Sequence, residues 1–216
     1  ALYFNPGCAL RLYRPENVEK LFAYLQDRYP HIQMHDICCR HDPKLPKGSL
    51  VINVCAGCDR RFRTLYDGIS TISLWQVISG SDDFPFPDHR GMEVSIHDPC
   101  PVRDMPAIHK AVRDLLQKMN MTVIEAEKSG VDSICCGDSL YPKCDIEAVR
   151  SAMKRRAASM PCEHVVVYCV SCIKALSIGG KTPCHLTDLL LDRSTDPQGC
   201  DIKKWHDTLD AYIESH

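Results

Sequence analysis

The stretches "LVINVCAGC", residues 50–58, and "VVVYCVSC", residues 165–172, decide how this chain folds. Each is an apolar run of strand length ending in Cys-x-x-Cys, Cys55 and Cys58 in the first and Cys169 and Cys172 in the second. Runs that are continuously apolar belong to strands buried on both faces, as in a parallel sheet covered by helices. Thiols delivered at the C-terminal end of such a strand stand where open α/β sheets customarily bind their ligands.

Working outward from these anchors, the other cysteines fall into two copies of one pattern. Cys8 and the adjacent pair Cys38-Cys39 precede the first Cys-x-x-Cys; Cys100 and Cys135-Cys136 precede the second. Ten of the fourteen cysteines are thereby placed in a repeat of five. The surroundings repeat too. "ALYFNPGCAL", residues 1–10, and "EVSIHDPCPV", residues 93–102, each run a short apolar stretch into a turn just before the first cysteine. Residues 14–29 and 105–120 then show helical spacing, with Val18, Leu21, Phe22 and Leu25 in one and Ile108, Val112, Leu115 and Leu116 in the other. Pro15 and Pro106 stand at the expected helix starts. "TISLWQVIS" and "CHLTDLLLD" each predict a short helix after the Cys-x-x-Cys.

The predicted fold is therefore α/β: two pseudo-symmetric repeated halves with small parallel sheets and metal sites on loops at the strand C-terminal ends. Residues 1–80 form the first half, 81–91 a Pro- and charge-rich linker, and 92–216 the second half. The first half is shortened. Only 15 residues separate Cys39 from Cys55, against 32 between Cys136 and Cys169, where "IEAVRSAMKRRAASM" predicts an extra helix. Arg40 also stands where the second half has Gly137.

Composition narrows the function classes. Lys and Arg total 26 against 28 acids, so nothing suggests nucleic acid, and the basic clusters Arg60, Arg61, Arg63 and Lys154, Arg155, Arg156 read as solvated helix faces. No apolar run reaches the roughly 18 residues of a membrane span. The N-terminal residues show no basic leader or cleavage site, so no secretory signal is expected. Disulfide frameworks belong mainly to small domains with poor cores, whereas this pattern predicts a substantial one; metal or redox chemistry in the cytoplasm is the better account of the thiols. Zinc and a cubane cluster each take four ligands, and five thiolates per half exceed that number. The surplus sulfur bridges two irons, replaces a cluster sulfide or stays free to react.

The arrangement C…CC(G)…CxxC in duplicate resembles the cysteine-rich CCG domain family, over nearly the whole chain. The second half carries the likeness most fully: "HDPC" at 97–100, "CCG" at 135–137, "CVSC" at 169–172 and "HLTDLL" at 185–190. Members of that family include the disulfide-reducing subunit of heterodisulfide reductase and iron-sulfur subunits of glycolate, lactate and anaerobic glycerol-3-phosphate oxidation systems. The resemblance implies a non-cubane [4Fe-4S] cluster in each half. Its ligands would be Cys8, Cys38, Cys39, Cys55 and Cys58 in one half, and Cys100, Cys135, Cys136, Cys169 and Cys172 in the other. Zinc, which some members place in one site, is the alternative occupant of the first.

The implied activity is disulfide reduction, fed by an iron-sulfur or flavin protein because the chain carries no flavin or nucleotide motif. A small disulfide or thiol would be the substrate, and Cys135, Cys136 and His97 the reacting group. Pure electron relay and a zinc-stabilised docking module are the alternatives. His97 would orient a ligand or give a proton to a leaving thiolate, set against a bland role capping the strand end. Gly137 is expected to let the backbone approach the cluster, with positive φ and an N–H toward sulfur. Asp98-Pro99 reads as turn chemistry. Cys144, Cys162, Cys184 and Cys200 read as small buried hydrophobes.

Overall fold

The first apolar segment, Leu2–Asn5, forms strand β1, and Pro6-Gly7 turns the chain directly into helix α1, Cys8–Tyr13. This computed structural model describes residues 1–197, 199 and 201–216. Helix α2, Pro15–Arg28, carries Pro15 in its first turn, where a missing N–H leaves no acceptor unpaired, and buries Val18, Leu21 and Leu25. Strand β2, Gln33–Met34, is followed by the loop bearing Cys38 and Cys39, then by β3, Ser49–Asn53, and α3, Ala56–Leu65. Strand β4, Ile69–Ser73, and helix α4, Leu74–Ser79, complete the set. The four strands are all parallel, in the order β2-β1-β3-β4, with Phe4 opposite Ile52 and Asn53 opposite Ser73.

The second set repeats this plan. Strand β5, Glu93–His97, leads to α5, Pro106–Lys118, and β6, Thr122–Val123. Helix α6, Ile146–Ala158, precedes β7, His164–Val167, α7, Val170–Ile178, β8, Thr182–His185, and α8, Leu186–Leu190. Its order, β6-β5-β7-β8, matches the first sheet position for position, again all parallel. The central strand β7 is buried from Val165 to Val167, as a continuous apolar run requires. The α/β repeat read from the sequence is the fold found.

The sheets are wider than the sequence predicts, because each gains strands the pattern hides. Strands β2 and β6 are two residues long, too short for any periodicity. Strand β4, "ISTIS", is a polar, partly exposed edge. In β8, Pro183 cannot donate to a ladder, which is tolerated because β8 is an edge strand.

Chain contacts divide the protein into two units, Ala1–Val77 with Asp201–His216, and Ile78–Cys200. The boundaries differ from 1–80 and 92–216 in two places. Residues 81–91 belong to the second unit: Lys118 Nζ donates to the Ser79 and Ser81 carbonyls, His89 N–H to Met119, and Phe84 is buried. Helix α9, Ile202–Ser215, belongs to the first unit and packs on α1. There His41 Nε2 meets the Ile213 carbonyl at 2.7 Å, Cys38 N–H donates to the His216 carbonyl, and Arg40 pairs with Asp210. No described helix is long and apolar enough to cross a membrane.

Candidate metal centres

Each unit gathers its five repeat cysteines at the C-terminal ends of its two central strands. In the second unit, Cys100 follows β5 through the turn His97-Asp98-Pro99, and Cys169 caps α7 after β7, with Cys172 in that helix's first turn. Cys135 and Cys136 come from the loop before α6. Cys100 Sγ lies 3.9 Å from Cys135 Sγ and Cys172 Sγ 3.5 Å from Cys136 Sγ. Cys135 also contacts Cys136, and Cys172 contacts Cys169, giving an unbroken sulfur chain 100-135-136-172-169. The first unit forms the same chain in the same order, 8-38-39-58-55. All ten predicted cysteines are therefore brought together as two sets of five, and all ten are unpaired by disulfides.

The electrostatics repeat as well. Hydrogen bonds from Cys39 and Cys8 pull the Cys38 thiol far below its ordinary value; those from Cys100, Cys136, Ser139 and the Gly137 N–H do the same for Cys135. Their neighbours move the other way. Cys8, Cys58, Cys100, Cys136 and Cys172 are all raised, chiefly because they donate to an adjacent sulfur and are then desolvated; Cys39, donating to Cys38, is pushed up to about 12. So many thiols within contact of one another resist ionising together, and a cation among them removes that conflict. The donor set fits a thiophilic metal or an iron-sulfur cluster, because soft sulfur is the sole ligand type offered by every repeat position.

Two glycines make the gatherings geometrically feasible. Gly7 has φ of 79°, and a Cβ there would stand 2.8 Å from Cys55 Cβ and 3.3 Å from Cys58 Sγ, so the first-cysteine turn reaches the Cys-x-x-Cys only without a side chain. Gly137 has φ of 105°, donates its N–H to Cys135 Sγ at 3.4 Å, and leaves no room for a Cβ, which would meet Met153 N at 2.9 Å. Met153 lies on α6, the helix the first unit lacks. Arg40 N–H still donates to Cys38, so the backbone bond to sulfur is common to both units while the demand for glycine is not.

The histidine and acid beside Cys100 are more deeply engaged than turn chemistry implies. Asp98 is fully buried and accepts from Arg113 Nη1 and Nη2 at 2.9 Å each, Tyr168 Oη at 2.6 Å and Gly130 N at 2.7 Å. Burial alone would raise its carboxyl, yet the Arg113 fork holds it below the ordinary value. His97 is likewise fully buried; burial, then the charge of Arg156, push its imidazole down to about 3. A neutral ring has one N–H to donate and one lone pair to accept with. One of its ring nitrogens lies within 4.8 Å of the Cys136 and Cys172 sulfurs.

Arg156 is the residue that composition misread. It is 1 % exposed, not part of a solvated face, and lies on the buried stripe Val149, Met153, Arg156, Ala157 of α6. That i, i+4, i+7, i+8 spacing is visible in the sequence and contradicts the surface reading of the cluster. The other basic cluster is also partly engaged: Arg61 Nε donates to the Cys39 carbonyl at 3.0 Å and Arg63 to buried Asp59, while Arg60 is exposed.

Outside the repeat, Cys162 and Cys184 are buried as expected, and burial pushes the Cys184 thiol up to about 11. Cys144 is exposed, contrary to expectation, on the segment leading into α6. Cys200 lies outside the described residues. No protein-family model and no curated protein matches the chain, so its residues alone carry the functional reading.

Proposed function

We propose that this protein is an iron-sulfur redox protein of the heterodisulfide-reductase type, with one multinuclear centre in each unit. The observation that carries the reading is the sulfur chain of five, built twice in identical order. Zinc alone would leave one thiol of each five unused. The ligand sets are Cys8, Cys38, Cys39, Cys55 and Cys58, and Cys100, Cys135, Cys136, Cys169 and Cys172. A bound [4Fe-4S] cluster supplies single electrons, with a potential set by burial and by hydrogen bonds to sulfur.

Reduction of a disulfide to two thiols consumes two electrons and two protons. Two centres in one chain match the electron count, and an iron-sulfur or flavin protein is the proposed donor, in the reducing environment of the cytoplasm. Within the chain, Cys135 is partly accessible and its bonds from Ser139 and Gly137 favour the thiolate, so Cys135 and Cys136 are the proposed reacting pair of the second centre. His97, buried beside Cys136 and Cys172, is the proposed residue that orients the ligands or gives a proton to a leaving thiolate.

A specific feature favours the first centre for small-molecule access. A cavity of about 300 Å³ opens beside Cys8, Cys38, Cys39, Cys55 and Cys58, walled by Arg40, Arg60 and Arg61 and by Leu209 and Ile213 of α9. In this second reading the first centre meets the disulfide and the second relays electrons.

Anaerobic purification with iron and acid-labile sulfide analysis tests the reading. Iron and sulfide in both units are expected, and stoichiometric zinc without iron in both would overturn it in favour of a docking module. Incubating the reduced protein with small disulfides then separates reductase from relay: thiol product marks the first, its absence the second.

A further inference from the structure

A buried guanidinium without a carboxylate partner calls for an explanation, and Arg156 is one. Its described partners are all neutral: Nε donates to His97 Nδ1 at 3.0 Å, Nη1 to Ser159 Oγ at 3.3 Å, and Nη2 to the Lys128 carbonyl at 3.0 Å and Ser133 Oγ at 3.1 Å. The nearby carboxylate of Asp98 is already held by Arg113 and Tyr168. Burying a charge without a counter-ion is costly, so the surroundings must provide negative charge when the protein works. Burial lowers the Arg156 guanidinium; the nearby Asp98 charge opposes that most, and any negative charge on the Cys172, Cys136 and Cys135 sulfurs, as when they hold a metal, opposes it further.

The contact with His97 fixes more than position. A neutral imidazole has one N–H and one lone-pair nitrogen, and a guanidinium can only donate. Because Arg156 Nε donates to Nδ1, that nitrogen must be the acceptor, and the proton is left on Nε2. His97 Nε2 is buried and has no hydrogen-bond partner among the described residues. One ring nitrogen lies within 4.8 Å of the Cys136 and Cys172 sulfurs, and with Nδ1 taken by Arg156 it is Nε2 that has a proton to offer them.

We propose that His97 is a fixed N–H donor to the sulfurs of the Cys136–Cys172 pair, set in that tautomer by Arg156, and is not itself a metal ligand. The proposal rests on the reading of these thiols as a metal or cluster site. Ligation through Nε2 would need its lone pair, and with Nδ1 already accepting from Arg156 that means an imidazolate. Donation needs nothing further: a metal-bound thiolate is an acceptor, and an N–H directed at it withdraws negative charge and raises the potential of the centre. Arg156 is then a positioning residue. The first unit has Asn5 at the register of His97, paired through Nδ2 with Asn53 Oδ1 at 2.9 Å and hydrogen-bonded to no guanidinium among the described residues, so the cation-backed donor belongs to the second centre alone.

The experiment uses the full chain in two preparations. Loaded with an NMR-active cadmium isotope and carrying heavy-nitrogen histidine, the protein should show His97 with its proton on Nε2 and no direct cadmium–nitrogen coupling. A direct coupling would overturn the proposal. Loaded anaerobically with iron and sulfide, His97→Leu should lower the second-centre midpoint by a tenfold change in the redox equilibrium, about 59 mV for one electron, and leave the first unchanged. Arg156→Met should move it the same way. His97→Gln, which keeps an N–H donor, should recover most of the shift and covers the case in which His97→Leu folds poorly. Full iron content with an unmoved midpoint in His97→Leu and in a folded Arg156→Met would also overturn the proposal. A chain that takes up neither cluster nor cadmium refutes the metal-centre reading instead, and the ring tautomer of the metal-free protein still decides the lock: a proton on Nδ1 would reject it.

Discussion

The two centres share one sulfur chain but differ in what stands behind it. The second is backed by α6, which brings buried Arg156 to His97 and packs Met153 against Gly137; the first has no such helix between Cys39 and Cys55. In its place the first unit takes α9 from the far end of the sequence, which contacts the loop carrying Cys38 and leaves a cavity beside the thiols. The lesson is that the ligand set and its local environment are separable. The five thiols need only the strand ends and two loops, whereas the charge, enclosure and access of a centre depend on which helix covers it.

The comparison breaks most sharply at the ligands. On the proposed iron-sulfur reading, Cys136→Ala should abolish the second centre and leave the first, halving the metal per chain, and Cys39→Ala should do the reverse; metal analysis of each variant checks this. Cys144→Ala, outside either chain of sulfurs and exposed, should leave the iron content unchanged.

A smaller but large effect concerns Asp98, whose counterpart in the first unit is Pro6. Asp98→Asn takes one charged acceptor from Arg113, which keeps its pair with Glu125 at 2.7 and 3.0 Å, and should cost about 1–3 kcal/mol of that unit's stability in denaturant unfolding. The pH dependence has a definite sign. Because the folded carboxyl is held below its unfolded value of about 3.9, its contribution is present above that pH and fades as the pH falls through the folded value. In Asp98→Asn this acid-side loss should be absent.

Exchanging the residues after the double cysteine sharpens the contrast further. Gly137→Ala meets both a positive φ and the backbone of α6 and should destabilise the protein by about 1–3 kcal/mol. Arg40→Gly should cost under about 1 kcal/mol, since Arg40 has neither constraint and only an exposed pair with Asp210 to lose. Comparable losses at the two positions would mean that α6 is not what makes the glycine necessary.

The smallest effect is chemical and is read in the second unit, where Cys135 is partly exposed while its counterpart Cys38 is buried. In metal-free protein, Cys135 is held as thiolate, so its alkylation by iodoacetamide should stay nearly flat between about pH 6 and pH 8, where an ordinary thiol's rate climbs. Mass spectrometry of the labelled peptide reads this directly. Cys135 labelling that rises with pH as a free thiol's does would remove the argument for its reactivity.

Much of this was legible in the chain. Apolar runs ending in Cys-x-x-Cys, the helical spacings after Pro15 and Pro106, and the repeated order of ten cysteines determined an α/β repeat with two thiol-rich sites, because buried parallel strands and their crossover helices leave periodic marks. Even the need for glycine at 137 was readable. What the tertiary structure alone decided lacks such marks. Edge strands β4 and β8 are too polar or too short to alternate, and α9 reaches the first unit by a contact between residues about 170 positions apart. The buried stripe that holds Arg156 is visible in the sequence, but its partners His97, Ser133 and the Lys128 carbonyl, 59, 23 and 28 positions away, are not. A sequence records the period of a helix, but the charge beside a thiol cluster is set by what that helix packs against.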